Sequence, residues 1–518
     1  MTTMLTRRSL LVGSAAAVAL VAPQPLPATS ASGFPSKNVF TLGVASGDPL
    51  PDSVVLWTRL APDPLAGGGM PPLPVLVQWE VAEDESFRRI VQRGIELAVP
   101  ESAHSVHAEP RGLRPASSYF YRFRAGNQVS PVGRTRTAPD QRSSPERLRL
   151  AFVSCQDWQG GFYSAYRGIA EEDLDIVVHL GDYIYEYGSQ SGAPRQHNGP
   201  EMDSLESYRN RHALYRTDLD LQAAHAAHPF ILTWDDHEVD NNYAAGIPES
   251  TNGPSQGSSA EFLGRRAHAY QAYYEHLPLR RAQRPVGPIA PLYRRLTFGD
   301  LAELSVLDTR QYRSDQPCGD GVKPRCAAAI DPAATMTGPI QERWLLDGLD
   351  RSSARWNVIA QQTMFAEYDV AVGPDEAYNL DQWGGYVAAR SRILGFLAQR
   401  RPSNPIVLSG DIHSSWVHDL KTDFTDPGSA TVGTEFVGTS ISSDFPAQAI
   451  ASITEALPDN PHTKFFNGAL RGYVRCDIDR QRWTSTYRVV DTVLVPGARI
   501  RTLATFAVEN SSPGAQPV

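Results

Sequence analysis

Four apolar runs in this chain end in residues that bind metals or move protons. DIVVHL at 175–180 is followed by GDYIYEYG, which places Asp182 and Tyr185 three positions apart directly after a glycine. LRLAFVSC ends on Cys155. FILTWDDHEVDNNY supplies Asp236 and His237, with Asp235, Asn241 and Asn242 beside them, and PIVLSGDIHSS supplies Asp411 and His413. Each signal is weak alone. An aspartate after glycine is commonly a turn residue, and a lone buried cysteine is commonly structural. Repeated at four strand ends, the place where open α/β sheets carry their sites, the pattern predicts a metal centre.

The residue types narrow the chemistry. Two or more metals a few ångströms apart need a bridging carboxylate, and Asp182 is the candidate. Such a pair clamps a phosphoryl group and turns water into hydroxide. Cys155, Tyr185 and His413 offer thiolate, phenolate and imidazole, a partly soft, anionic set that favours Fe3+ over Mg2+. Asp236, Asp411 and an asparagine from Asn241-Asn242 offer oxygens to a hard divalent ion such as Ca2+, one or two of them, with other divalent metals open. His237 is the candidate to protonate a leaving alkoxide or to bind phosphate. Asp182 and His237 are thus the catalytic candidates, and Asp235 reads as a turn or supporting residue.

These residues need strands and helices to hold them. From 148 to 508 the pattern alternates between strands and helices: LRLAFVSC then FYSAYRGIAEE, DIVVHLGD then the helical 204–227, PFILTWDDHE then EFLGRRAHAYQAYYEHL, and ARSRILGFLAQR then NPIVLSGD. That alternation predicts a large α/β domain. Residues 34–139 read as all-β, a small sandwich of strands at about 10-residue spacing, joined to the rest by the polar linker PDQRSSPER. ENSSPGAQPV, 509–518, reads as a flexible tail.

Bulk properties limit the function classes. The chain has 518 residues, 41% hydrophobic and 20% charged, with a net charge of −9. It is long enough for two or three domains, and it lacks the global basic field of a chain with a stable nucleic-acid partner. The run Thr6-Arg7-Arg8-Ser9-Leu10-Leu11, an apolar stretch Leu10 to Ala22 and small residues to Ala31 read as a cleaved twin-arginine (Tat) export signal over 1–31. The expectation is a protein handed to the Tat machinery and secreted to the extracellular space or cell wall. In that setting Cys318 and Cys326, flanking the turn-rich CGDGVKPRC, read as a local disulfide. Cys476 reads as a core thiol.

Taken in order, FVSCQD, GDYIY, WDDHEVDNNY and SGDIH, with VASGDPLPDSVVLWTRL near the start, resemble the PhoD-type alkaline phosphatases of the calcineurin-like metallophosphoesterases. Cys155 stands where the wider superfamily has its first Asp, Asp236-His237 where it has Asn-His, and Asp411-x-His413 where it has His-x-His. The resemblance implies a metallophosphoesterase-type β-sandwich core flanked by helices, with an Ig- or fibronectin-like domain ahead of it. It implies Fe3+ with one or two Ca2+, Tyr185 on iron, and hydrolysis of phosphodiesters and phosphomonoesters. The superfamily's further metal-binding histidine has no clear equivalent; Gln361 or Gln362 sits near its place. An alternative within the family is a phospholipase D acting on phosphatidylcholine-type lipids, with transient membrane-surface contact. A non-catalytic binding protein is disfavoured because no strand end has lost its ligand-type residue. A zinc hydrolase is disfavoured because Tyr185 and Cys155 are unlike the usual zinc donors of catalytic sites.

Overall fold

The side chains of successive strand residues point to opposite faces, and here the two faces meet different partners. In the strand Arg147–Val153, Leu148, Leu150 and Phe152 join one core cluster while Ala151 and Val153 join another. The same alternation runs through Ile176 and Val178 against Val177, and Ile231 against Phe230 and Leu232. Strands apolar on both faces must be covered on both faces. A computed structural model, describing residues 34–249 and 259–518, shows how.

Two sheets stack face to face. The first has ten strands, running from Ser512–Pro517 at one edge through Ile500–Glu509, Arg482–Val490, Arg471–Asp479, Arg147–Val153, Ile176–His179, Pro229–Leu232, Val44–Leu50 and Ser53–Arg59 to Ser105–Ala108. The second has seven, with Ala302–Val306, Trp356–Ala360, Pro405–Ser409 and Thr431–Val437 parallel at its centre. Between them lies an apolar layer that includes Phe152, Val178, Ile231, Leu304, Val358, Leu408 and Phe436. The outer face of the first sheet carries the helices Ser164–Glu171, Leu205–Arg216, Leu219–Ala227 and Ser259–His276. The outer face of the second carries Gly338–Arg351 and Val387–Arg400, packed on Ile359 and Val407. This is the helix-flanked sandwich expected.

Three details differ from the sequence reading. The all-β segment divides: Val44–Leu50 pairs in parallel with Pro229–Leu232, so three of its strands extend the first large sheet. Its other strands form a separate five-stranded sheet. The helical stretch 204–227 is two helices, because the Asp218 side chain accepts the N–H groups of Asp220 and Leu221 and starts a new one. The tail is not free. Ser512–Pro517 is the edge strand of the first sheet, with Ala515 buried in the sandwich layer. Pro513 and Pro517 suit an edge, where a missing N–H breaks no ladder. The Tat segment lies outside the described residues. Among the described residues no helix is long and apolar enough to cross a membrane.

Candidate metal centre

The carboxyl ends of Arg147–Val153, Ile176–His179 and Pro229–Leu232 in the first sheet converge with that of Pro405–Ser409 in the second. Two glycines let them meet. A Cβ on Gly181 would lie 2.4 Å from the Asp235 Cβ, and one on Gly410 would lie 2.4 Å from the Ser154 Oγ. The residues that follow turn sharply: Cys155, Asp182, Asp411 and His413 all have positive φ, between 55° and 63°. Side chains rarely adopt this backbone, and where they do the surroundings must impose it. The Cys155 N–H donates to the Gly181 carbonyl and the Gln156 N–H to the Asp182 carbonyl, tying the first two loops together.

The outcome is one buried cluster. Ligand atoms of Cys155, Asp182 and His413 lie within 4.8 Å of one another, as do those of Asp182, Asp236 and His237, and those of Asp235, Asp236 and Asp411. Asp182 and Asp236 each belong to two groups. The Tyr185 hydroxyl lies 2.9 Å from His413 Nε2 and 3.2 Å from an Asp182 oxygen, and it accepts a hydrogen bond from Ser443 Oγ at 2.7 Å. His413 Nδ1 donates to the Asp444 carbonyl, so the lone pair is on Nε2, facing the cluster. His237 stacks on Tyr185 at 4.1 Å and bonds Glu186 through Nδ1 at 2.8 Å.

Asn241, expected as an oxygen ligand, donates through its amide nitrogen to Glu249 and through its backbone N–H to Glu186. Among the described residues no hydrogen bond joins it to the cluster. It is the Asn242 N–H that caps Asp236, at 2.7 Å. Gln361 and Gln362 are structural. Gln362 ties Thr309, Thr233 and the Leu307 carbonyl, and Gln361 ties Ser409 and Trp383.

Electrostatics show what the cluster lacks. Burial, then Asp182, pushes the Cys155 thiol well up, and burial, then Asp182 and Cys155, does the same to the Tyr185 phenol. Burial followed by Asp236 raises Asp182. Burial pulls His413 down to about 4 against its bond to Asp444. Burial would also lower His237, but Glu186, Asp236 and Asp182 together raise it well above the ordinary histidine range. Asp182 Oδ1, Asp235 Oδ2 and Asp236 Oδ1 are buried with no hydrogen-bond partner. Orphaned carboxylate oxygens beside a thiol, a phenol and a neutral imidazole are a donor set that fits metal cations.

Several contributors escaped the sequence reading. Glu238 accepts the N–H groups of Asp182, Tyr183 and Asp235, holding two of the loops at once. Arg310 pairs with Asp235, Asp236, Asp381 and Asp411. The loop 378–386 delivers Asp381 and also Gln382, whose amide donates to Asp411. The signal for Arg310 was present in LSVLDTR, a fifth apolar run ending in an aspartate.

A two-sheet sandwich flanked by helices, with such a cluster at its strand ends, defines the class of the metal-dependent phosphoesterases. Comparison with known proteins specifies the family. The PhoD-like phosphatase family matches residues 150–487, and the N-terminal domain of PhoD-like phosphatases matches 27–139. Alkaline phosphatase D of Bacillus subtilis (strain 168) is 51% identical over 490 residues, covering 93% of this chain and 83% of that protein. A solved structure described as that of PhoD superposes with a TM-score of 0.89 at 50% identity, covering 93% of this chain and 92% of that one. The chain belongs to the PhoD-like phosphatase family and is a phosphoric ester hydrolase.

Proposed function

We propose that this protein hydrolyses phosphodiesters and phosphomonoesters at a centre of Fe3+ and one or two Ca2+, after export through the Tat machinery. The observation that supports this reading is the overlap of the three ligand groups on Asp182 and Asp236. Cys155, Tyr185, His413 and Asp182 would hold Fe3+, and Asp182, Asp236 and Asp411 would hold Ca2+. When bound, the ions neutralise phosphoryl oxygens and acidify water. His237, bonded through Nδ1 to the Glu186 carboxylate, stands at the edge of the cluster as the proton donor. As water attacks phosphorus and the ester P–O bond breaks, the imidazolium proton passes to the departing alkoxide. Tyr185 and Tyr187 cover two sides of its ring, one stacked and one edge-on, and fix its direction.

The reading is tested with bis-p-nitrophenyl phosphate, p-nitrophenyl phosphate and phosphatidylcholine side by side, together with elemental analysis. Turnover of the first two with iron and calcium present is expected. Failure on all three esters rejects the esterase reading, and zinc alone rejects the metal assignment. A tyrosinate–Fe3+ pair gives a visible charge-transfer band, which Tyr185→Phe should abolish. An iron-loaded, colourless wild type would contradict the ligand set. Export is tested by Arg7→Lys/Arg8→Lys, which should keep the protein inside the cell.

A further inference from the structure

The most heavily invested charge at the centre is the guanidinium of Arg310. Its side chain is completely buried. Nε bonds Asp235; Nη1 lies 2.9 and 3.1 Å from the two oxygens of Asp381; Nη2 lies 2.9 Å from Asp411 and 3.5 Å from Asp236. Asp381 is itself fixed by Arg313 at 3.0 Å and by the Gln316 amide at 2.8 Å. Four carboxylates from three loops thus surround one cation, and three of them, Asp235, Asp236 and Asp411, belong to the ligand groups of the cluster.

We propose that Arg310 is a fixed cation of the centre, standing where the carboxylate cluster would otherwise take up a further divalent ion. A guanidinium keeps its charge at any working pH and offers its donors in a rigid fork. It therefore neutralises Asp235 and Asp381 whether or not metals are supplied. It also leaves Asp182 Oδ1 and Asp235 Oδ2 buried without a hydrogen-bond partner. A divalent ion in the same place would satisfy the same carboxylates, but only while the ion is bound. Arg310 in this account is a positioning residue that sets how many divalent ions the centre takes, and the proposal rests on the metal-centre reading above. An ordinary structural salt bridge would share its geometry but not its dependence on metal.

The experiment uses chelator-stripped full-length protein, with Ca2+ alone as the probe, and reads ion stoichiometry, affinity and melting temperature. Arg310→Gln should bind one more Ca2+ per chain than wild type. Its melting temperature should fall below wild type in chelator, and that gap should close as Ca2+ is added. Arg310→Lys, which keeps the charge, should keep the wild-type stoichiometry. Asp381→Asn removes one negative charge while leaving Arg310 in place, and should weaken Ca2+ binding about tenfold or more, the usual scale for residues that orient ligands. A gap that Ca2+ does not narrow, with unchanged stoichiometry in Arg310→Gln, overturns the proposal. If Arg310→Gln does not fold at any Ca2+ concentration, Asp381→Asn decides: wild-type affinity overturns the proposal, and weaker binding supports it. A wild type that takes up no Ca2+ overturns the metal centre and this inference together, whereas normal wild-type binding with unaltered variants overturns this inference alone.

Discussion

Replacing Glu238 by glutamine tests whether the strand-end loops are held by a shared carboxylate. One Glu238 oxygen accepts the Tyr183 N–H at 2.7 Å, and the other accepts the N–H groups of Asp182 at 3.1 Å and Asp235 at 2.8 Å. Glutamine keeps a single acceptor. If its oxygen takes the shared position, the Tyr183 N–H faces an NH2 group; if it takes the other, two N–H groups do. At least one buried donor is orphaned either way, and each orphan costs about 1–3 kcal/mol. Burial raises the Glu238 carboxyl to about 7, so in alkaline buffer a charged acceptor is lost as well, and Glu238→Gln should cost about 2–4 kcal/mol of stability in chelator. The loss falls on the backbone of Asp182, whose φ of 56° must be imposed by its surroundings. Relaxation there moves a carboxylate shared by two ligand groups, and metal affinity should fall by about one to two orders of magnitude. Denaturant unfolding in chelator reads the first effect, and metal content with ester turnover reads the second. A variant with the wild-type midpoint and full metal content would refute the argument.

Other perturbations probe different parts of the molecule. Glu186→Gln removes the anion that holds His237 protonated, so the alkaline limb of the kcat/KM profile should move to lower pH; an unmoved limb would remove His237 from the acid role. His212 is buried with both ring nitrogens unpaired, and burial pulls it down to about 3. The unfolded chain takes up that proton below the ordinary value of about 6.5 while the folded chain does not, so stability should fall as pH drops from there, by about 1.4 kcal/mol per pH unit from this group. His212→Phe should flatten the pH dependence of unfolding by that amount, and an unchanged slope would contradict it. The Cys318–Cys326 disulfide closes a loop whose Asp320 bonds Asn242 and whose strand Val322–Lys323 pairs with Tyr378–Asn379, next to Asp381. Cys318→Ser/Cys326→Ser should cost about 2–3 kcal/mol and lower metal affinity, measured by unfolding and by ion titration.

What could be read from the sequence was local and periodic. Strands apolar on both faces, and a ligand-type residue directly after each, announced both the sandwich and four of its loops, because each signal sits within about ten consecutive residues. Asp381 gave no comparable signal: it meets Arg310 across 71 residues of sequence and follows no strand-like apolar run. Glu238 was visible in WDDHE, but a carboxylate there is indistinguishable from any loop residue until the GDY loop is laid beside it. The tail failed for the opposite reason. Asn, Ser, Pro and Gly are breakers wherever the chain lacks a partner, and here the partner was the preceding strand Ile500–Glu509.

The positive φ values explain why the site resists reading from sequence while its glycines do not. Gly181 and Gly410 mark where two loops pass too closely for a side chain. The strained residues come immediately after, at Asp182 and Asp411. Aspartate tolerates that backbone better than most residues, but the conformation still needs imposing. At Asp182 the N–H is pinned by Glu238, and at Asp411 the side chain is pinned by Arg310 and Gln382. Neither restraint is an element of secondary structure. Both are buried charges drawn from other loops, so the geometry of the ligands depends on the same electrostatic balance that metal binding would alter. Loop conformation and metal loading in this protein are therefore coupled through Glu238 and Arg310. Variants at either position should change metal binding without touching a proposed ligand.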